Sequence, residues 1–165
     1  MNPDIHPSVE PLAALIGVWR GRGAGRYPTI EPFEYVEEVT FGHVGKPFLA
    51  YAQKTRHAET DLPLHAETGY WRPVTDDAGG VTGLEVVLSH PTGIVEIYAG
   101  TVDGAVDGTV IEMQTRSIGL TPTAKSVTDV RRRFELDGDT LRYDVAMAAV
   151  GQPLTHHLSA ELHRS

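Results

Sequence analysis

Apolar and polar side chains alternate along most of this chain. Phe33, Tyr35, Val39 and Phe41 share one parity, Leu84, Val86 and Leu88 share a second, and Leu141, Tyr143, Val145 and Met147 share a third. A period of two puts successive side chains on opposite faces, so each run predicts an antiparallel strand. Turn signals separate the runs at Gly42–Pro47, Asp76–Gly80, Pro91-Thr92-Gly93, Asp103-Gly104, Asp107-Gly108 and Asp137-Gly138-Asp139, spaced as a sandwich or barrel requires. One segment predicts a short helix, Ser8–Gly17, with Ser8 as N-cap, Pro11 in the first turn and Gly17 as the stop. After Gly25 no stretch supports a helix of ordinary length. Many strands and one short helix leave open the question of sheet edges, which closure abolishes, so the pattern predicts an all-β barrel. No repeat, low-complexity tract or linker divides it, and one domain over residues 1–165 is expected.

The stretch from Gly17 to Pro28, GVWRGRGAGRYP, breaks the alternation with glycines. A phosphate-cradling loop needs a strand before it and a helix after it, whereas here the helix pattern comes first. A flexible linker would not carry Trp19 and Tyr27. What survives is a first barrel strand in which Gly17, Gly21 and Gly23 relieve crowding, either for curvature alone or because a ligand comes close.

Composition narrows the chemistry. Of 165 residues, 41% are hydrophobic and 22% charged, an ordinary globular balance. The net charge of −8 argues against nucleic acid or an anionic membrane as main partner. There is no cysteine, which removes disulfides, thiolate metal sites and a cysteine nucleophile. Apolar runs such as Pro11–Val18 are too short to span a bilayer, and the acidic N-terminus lacks a signal-peptide pattern, so a cytoplasmic location is expected. On the strand Val130–Leu136, Arg132 shares a side with Val130, Phe134 and Leu136, and Arg131-Arg132-Arg133 reads as a strand with charged outer positions rather than a nucleic-acid patch. Glu34, Glu37 and Glu38 read as solvated, with no spacing that marks an acid/base pair. The GxSxG signal of a serine nucleophile is absent.

Gly17-x-Trp19-x-Gly21-x-Gly23, Gly25-x-Tyr27-Pro28, Phe33-x-Tyr35 and Gly45-Lys46-Pro47 resemble the nitrobindin family of small haem-binding barrels. The likeness continues through His65-Ala66-Glu67-Thr68-Gly69-Tyr70, Pro91-Thr92-Gly93 and Pro153-Leu154-Thr155-His156-His157-Leu158, covering nearly the whole chain in order. The resemblance implies a ten-stranded antiparallel barrel, related in shape to fatty-acid-binding proteins, with haem b at one open end. It also implies the isomerisation of peroxynitrite to nitrate and reversible binding of nitric oxide at ferric iron, on an apolar, water-poor distal side. A homodimer stays open.

Eight histidines are available as iron ligands. His6, His43, His57 and His163 fall in loops, turns or termini and read as solvated. In the resembled family the axial ligand is the histidine directly before a leucine in the last strand, which is His157 here. Parity objects: Leu158, Ala160 and Leu162 share a face with His156, so His157 faces the interior only if a bulge shifts the phase or the outer face is itself buried, under the N-terminal helix. The resemblance also places His65 near the ligand or the rim and Lys125 near the haem edge, where a cation would pair with a haem carboxylate. His65 reads equally as a bonded strand histidine, Lys125 as a solvated loop lysine, and His90 as structural. Met147 is core or pocket wall by parity. Two rivals remain: a metal-free carrier of a fatty acid or other apolar ligand, and a structural barrel filled by side chains.

Overall fold

The computed structural model describes residues 3–105 and 108–165. Among these, ten antiparallel strands follow one another: β1 Gly17–Tyr27, β2 Ile30–Gly42, β3 Leu49–His57, β4 Pro63–Thr75, β5 Val81–His90, β6 Ile94–Ala105, β7 Gly108–Leu120, β8 Val127–Asp137, β9 Thr140–Ala149 and β10 Thr155–Arg164. Each strand pairs with its chain neighbours, and β1 pairs with β10, so the sheet closes on itself and no strand is left as an edge. The alternation does what it predicts: in β3 buried and exposed residues alternate from Leu49 to Arg56. One turn signal fails. Asp103-Gly104 lies inside β6, paired with Val110 and Thr109, and the chain reverses only after Ala105; Asp107 lies outside the described residues.

The helix differs from expectation in kind and in place. It is a 3-10 helix over Pro7–Leu15, with His6 at its N-cap and the His6 ring accepting the Ser8 amide at 3.3 Å. Ser8 itself is buried. Three residues per turn bring every third side chain onto one face, and Val9, Leu12 and Leu15 are fully buried at that spacing. This face closes one end of the barrel. Trp19 donates its indole N–H to the Leu15 carbonyl at 2.7 Å, and Arg164 reaches the Ala14 and Ile16 carbonyls while its guanidinium lies 4.2 Å from the Trp19 ring centre. Behind it Phe41, Trp71 and Phe134 stack edge to face, 5.1 and 5.2 Å apart. The helix therefore plugs the end opposite His157 and does not cover the outside of β10.

The glycines of β1 are explained by close approach. A Cβ on Gly21 would overlap the Glu161 carbonyl oxygen in β10 and lie 2.8 Å from the Leu162 Cα, while a Cβ on Gly23 would enter the Tyr35 ring. These positions let β1 coil tightly and let aromatic rings from β2 lie across it. Gly21→Ala is expected to lower the unfolding free energy by about 1–3 kcal/mol through overpacking. Gly42→Ala, where an added Cβ meets nothing within 4 Å, should stay within about 0.5 kcal/mol. Urea unfolding measures both, and equal midpoints would remove close approach as the reason for glycine at Gly21.

Candidate functional site

The other end of the barrel is open. The turns after β1, β3, β5, β7 and β9 surround a cavity of about 320 Å³, within the range of small-molecule pockets. Its mouth is apolar: Phe33, Ile94, Val127, Met147 and Leu158 line it, and Ile30, Leu62, Leu64, Leu120 and Val150 stand exposed on the strand ends and loops around it.

His157 reaches this cavity through a bulge. Pairing of β10 with β9 runs from His156 opposite Ala146 directly to Leu158 opposite Val145, so His157 is one residue too many on its strand. Both His157 and Leu158 line the cavity, whereas His156 lines outer surface grooves and bonds to Ser159. The parity of Leu158, Ala160 and Leu162 is inward and His157 is inward as well. The His157 ring is fixed: Nδ1 lies 3.0 Å from the Arg26 carbonyl in β1, and the Tyr27 ring meets it edge-on at 5.3 Å. A carbonyl can only accept, so Nδ1 carries the proton and Nε2 keeps its lone pair. Burial pushes the imidazole below its usual range despite the Arg26 bond, and the neutral, ligand-ready form prevails at neutral pH. Tyr27 ties β1 to β9, on the far side of β10, by donating to the Met147 carbonyl at 3.0 Å and accepting the Ala149 amide at 2.9 Å.

Of the other expected residues, Met147 and His65 lie on the cavity wall. Lys125 is exposed in the β7–β8 loop, at the same end of the barrel but not on the wall. Gly17 and Trp19 belong to the closed end, and Gly17 has φ +134° where the helix hands over to β1. Gly23 acts at a distance, by admitting the Tyr35 ring that forms part of the cavity.

The cavity floor is not apolar. Arg132, its side chain only 9% exposed, forks onto both oxygens of Glu67 at 2.5 and 2.9 Å, while Nε donates to Tyr98 at 2.9 Å and Nη2 reaches Glu96 at 3.3 Å. Tyr51 adds a bond to Glu67 at 2.8 Å, and Tyr98 donates to Glu96. Burial alone would raise the Glu67 carboxyl, but the Arg132 guanidinium overrides it and holds the pKa at about 2. Glu37 is also buried rather than solvated; it accepts from Gln53 at 2.9 Å and from Tyr143 at 2.7 Å, and Tyr143 bonds to Tyr35 at 2.8 Å. Burial raises its pKa from 4.5 to about 7, the two hydrogen bonds offsetting only part of the effect. The signal for these residues was present: Glu37 has the parity of Tyr35 and Val39, Arg132 that of Val130 and Phe134, and Glu96 that of Ile94 and Tyr98.

Between pH 4.5 and 7 the folded chain holds a proton at Glu37 that the unfolded chain has lost, so this group makes stability fall as pH rises through that window. Glu37→Gln, which keeps the shape and removes the titration, should flatten the fall between pH 5 and 8, by up to about 3 kcal/mol. Urea unfolding across that range measures it; parallel profiles for both proteins would mean that Glu37 titrates normally.

A sequence model of the "THAP4-like, heme-binding beta-barrel domain" family matches residues 8–164. The chain is similar to "Peroxynitrite isomerase 2" of Mycobacterium avium (strain 104), 60% identical over 99% of each chain, and to "Peroxynitrite isomerase 1" of Mycolicibacterium paratuberculosis (strain ATCC BAA-968 / K-10), 59% identical over 99% of each. The crystal structure of Rv2717c from M. tuberculosis superposes with a TM-score of 0.91 at 52% identity, covering 98% of this chain and 99% of that one.

Proposed function

The chain belongs to the THAP4-like, haem-binding β-barrel domain family, and on that premise we propose that it holds haem b at the open end of the barrel and isomerises peroxynitrite to nitrate. The observation that carries this reading is His157: a bulge turns it into the cavity, the Arg26 carbonyl holds its Nδ1 proton, and Nε2 is left free to bind iron. The donor set fits the group, because a neutral imidazole and an apolar mouth are what a porphyrin with a histidine-bound iron needs.

The chemistry supplied by bound haem is that of a ferric Lewis acid acting on the weak O–O bond of peroxynitrite. The residues of this chain bind and orient. His157 would hold the iron, with its basicity raised by the hydrogen bond to Arg26. Met147, Leu158 and Phe33 would pack against the macrocycle, His65 would stand on the wall beside it, and Lys125, in a loop at the same end, would pair with a propionate. Peroxynitrite and nitrate are isomers of the same charge, so no proton is gained or lost and no acid/base pair is required of the protein. The same ferric site would take nitric oxide reversibly. The proposal treats residues 1–165 as one haem-binding domain, cytoplasmic and open to homodimer formation; no described helix is long and apolar enough to cross a membrane.

A fatty-acid carrier is the weaker reading, and Arg132 decides it. The one guanidinium among the described cavity-lining residues already faces Glu67 and Glu96, so a ligand carboxylate would meet excess negative charge.

Two experiments test the function. Hemin titration of the full chain should give a Soret band that His157→Ala loses and His156→Ala keeps, both variants remaining folded by circular dichroism; the opposite pattern would move the ligand to His156. The haem-loaded ferric protein should speed peroxynitrite decay, raise nitrate yield and protect free tyrosine from nitration, while being a poor peroxidase with hydrogen peroxide. If the haem-free chain or His157→Ala protects tyrosine equally at the same concentration, side-chain scavenging accounts for the effect and the isomerase reading fails.

A further inference from the structure

Deeper in the cavity than the apolar mouth, β4 and β5 bring two histidines and a carboxylate together. His65 Nε2 lies 3.0 Å from His90 Nδ1, His90 Nδ1 lies 3.5 Å from Glu67 Oε2, and Glu67 Oε2 lies 3.9 Å from His65 Nε2. We propose that these three atoms form a second binding site of this protein, for one divalent transition-metal ion of the zinc class, separate from the haem iron. The proposal stands on the cluster alone and does not depend on haem binding.

The spacing of the three atoms suits one ion. The point equidistant from the three atoms lies about 2 Å from each, and zinc–nitrogen and zinc–carboxylate bonds are ~2.0–2.2 Å. Two histidines and one carboxylate on one side of an ion, with further positions open, is a recurrent donor set for zinc and ferrous iron. Glu67 can serve although Arg132 holds it. Its Oε1 takes Arg132 Nη1 and Tyr51, but its Oε2 takes only Arg132 Nη2, and a carboxylate oxygen has a second lone pair.

His90 is short of a partner on one ring nitrogen. Its side chain is 6% exposed, and its Nε2 has no well-aligned hydrogen bond although Glu96 Oε2 is 3.0 Å away. A metal on Nδ1 fixes the proton on Nε2, where it faces Glu96. That is the carboxylate–histidine–metal relay by which proteins orient an imidazole ligand.

The local charge is unbalanced. At this end of the floor Glu67 and Glu96 face one guanidinium, Arg132, which leaves one negative charge uncompensated in a buried site. A proton on the histidine pair cancels that charge, and a divalent cation more than offsets it. His65, with 35% of its side chain exposed, opens the cluster to the cavity mouth.

The test is zinc titration of the chelator-stripped, haem-free full chain, followed by calorimetry and metal analysis after gel filtration. One zinc per chain is expected. His65→Ala and His90→Gln should each weaken it at least tenfold, while His156→Ala, a histidine on the outer surface, should leave it unchanged. His65→Ala carries the result if His90→Gln fails to fold, because His65 is partly exposed and its loss leaves the Arg132 cluster intact. Absence of saturable binding, or unchanged affinity in His65→Ala, would show that a proton serves the cluster and overturn the site. Equal loss in His157→Ala would place the ion on the haem-ligand histidine and overturn it as well. Hemin binding measured on the same variants keeps the two readings apart: loss of zinc with the Soret band intact concerns only this cluster.

Discussion

The seam between β1 and β10 has to meet two demands at once. It must close the sheet, which requires the continuous pairing from Trp19 opposite Arg164 to Gly25 opposite Leu158. It must also turn a polar imidazole into an interior whose phase along β10 is set by Leu158, Ala160 and Leu162. A regular strand cannot do both, since neighbours point to opposite faces. The surplus residue at His157 resolves the conflict, because it steps the phase by one position without breaking the closure. The glycines of β1 that pair with Leu162, Ala160 and Leu158 belong to the same solution. Gly21 takes the close approach of the β10 backbone, and Gly23 and Gly25 make room for the Tyr35 and Phe33 rings that shape the cavity.

The two ends of the barrel divide the labour. The helix, Trp19 and the Arg164 fork seal one end with apolar packing and satisfied carbonyls, and Trp71 and Phe134 carry that core towards the middle. The open end keeps exposed apolar side chains that a monomeric soluble domain would ordinarily bury, a cost consistent with a surface meant to be covered by a ligand. Between the two lies a floor of buried charge. Such a layer stabilises only when every member is partnered, and Arg132, Glu67, Tyr51 and Tyr98 satisfy one another closely. Glu37 is the exception in ionisation: without a guanidinium it resolves its burial by keeping its proton up to about pH 7.

The alternation of apolar residues and the turn chemistry determined the strands, the barrel class and the single N-terminal helix, because a period of two and a glycine or proline break act locally. The resemblance in motif pointed to His157 and His65, and parity with Tyr143 and Val145 pointed to Met147; all three line the cavity. Charged residues on inward parity, Glu37 and Arg132 above all, carried a signal too, but solvation is the default for a charge until its partner is seen, and Glu67 lies 65 residues from Arg132 along the chain. Only the tertiary structure decided which histidine of the pair faces inward, since a bulge is a count of residues on two strands at once and leaves no mark in either alone. It alone decided that the helix is 3-10 and plugs the far end, because the three-residue spacing of Val9, Leu12 and Leu15 becomes a face only against Trp19. It alone brought His65, Glu67 and His90 together, for such a cluster depends on the register between strands, which closure of the whole barrel fixes.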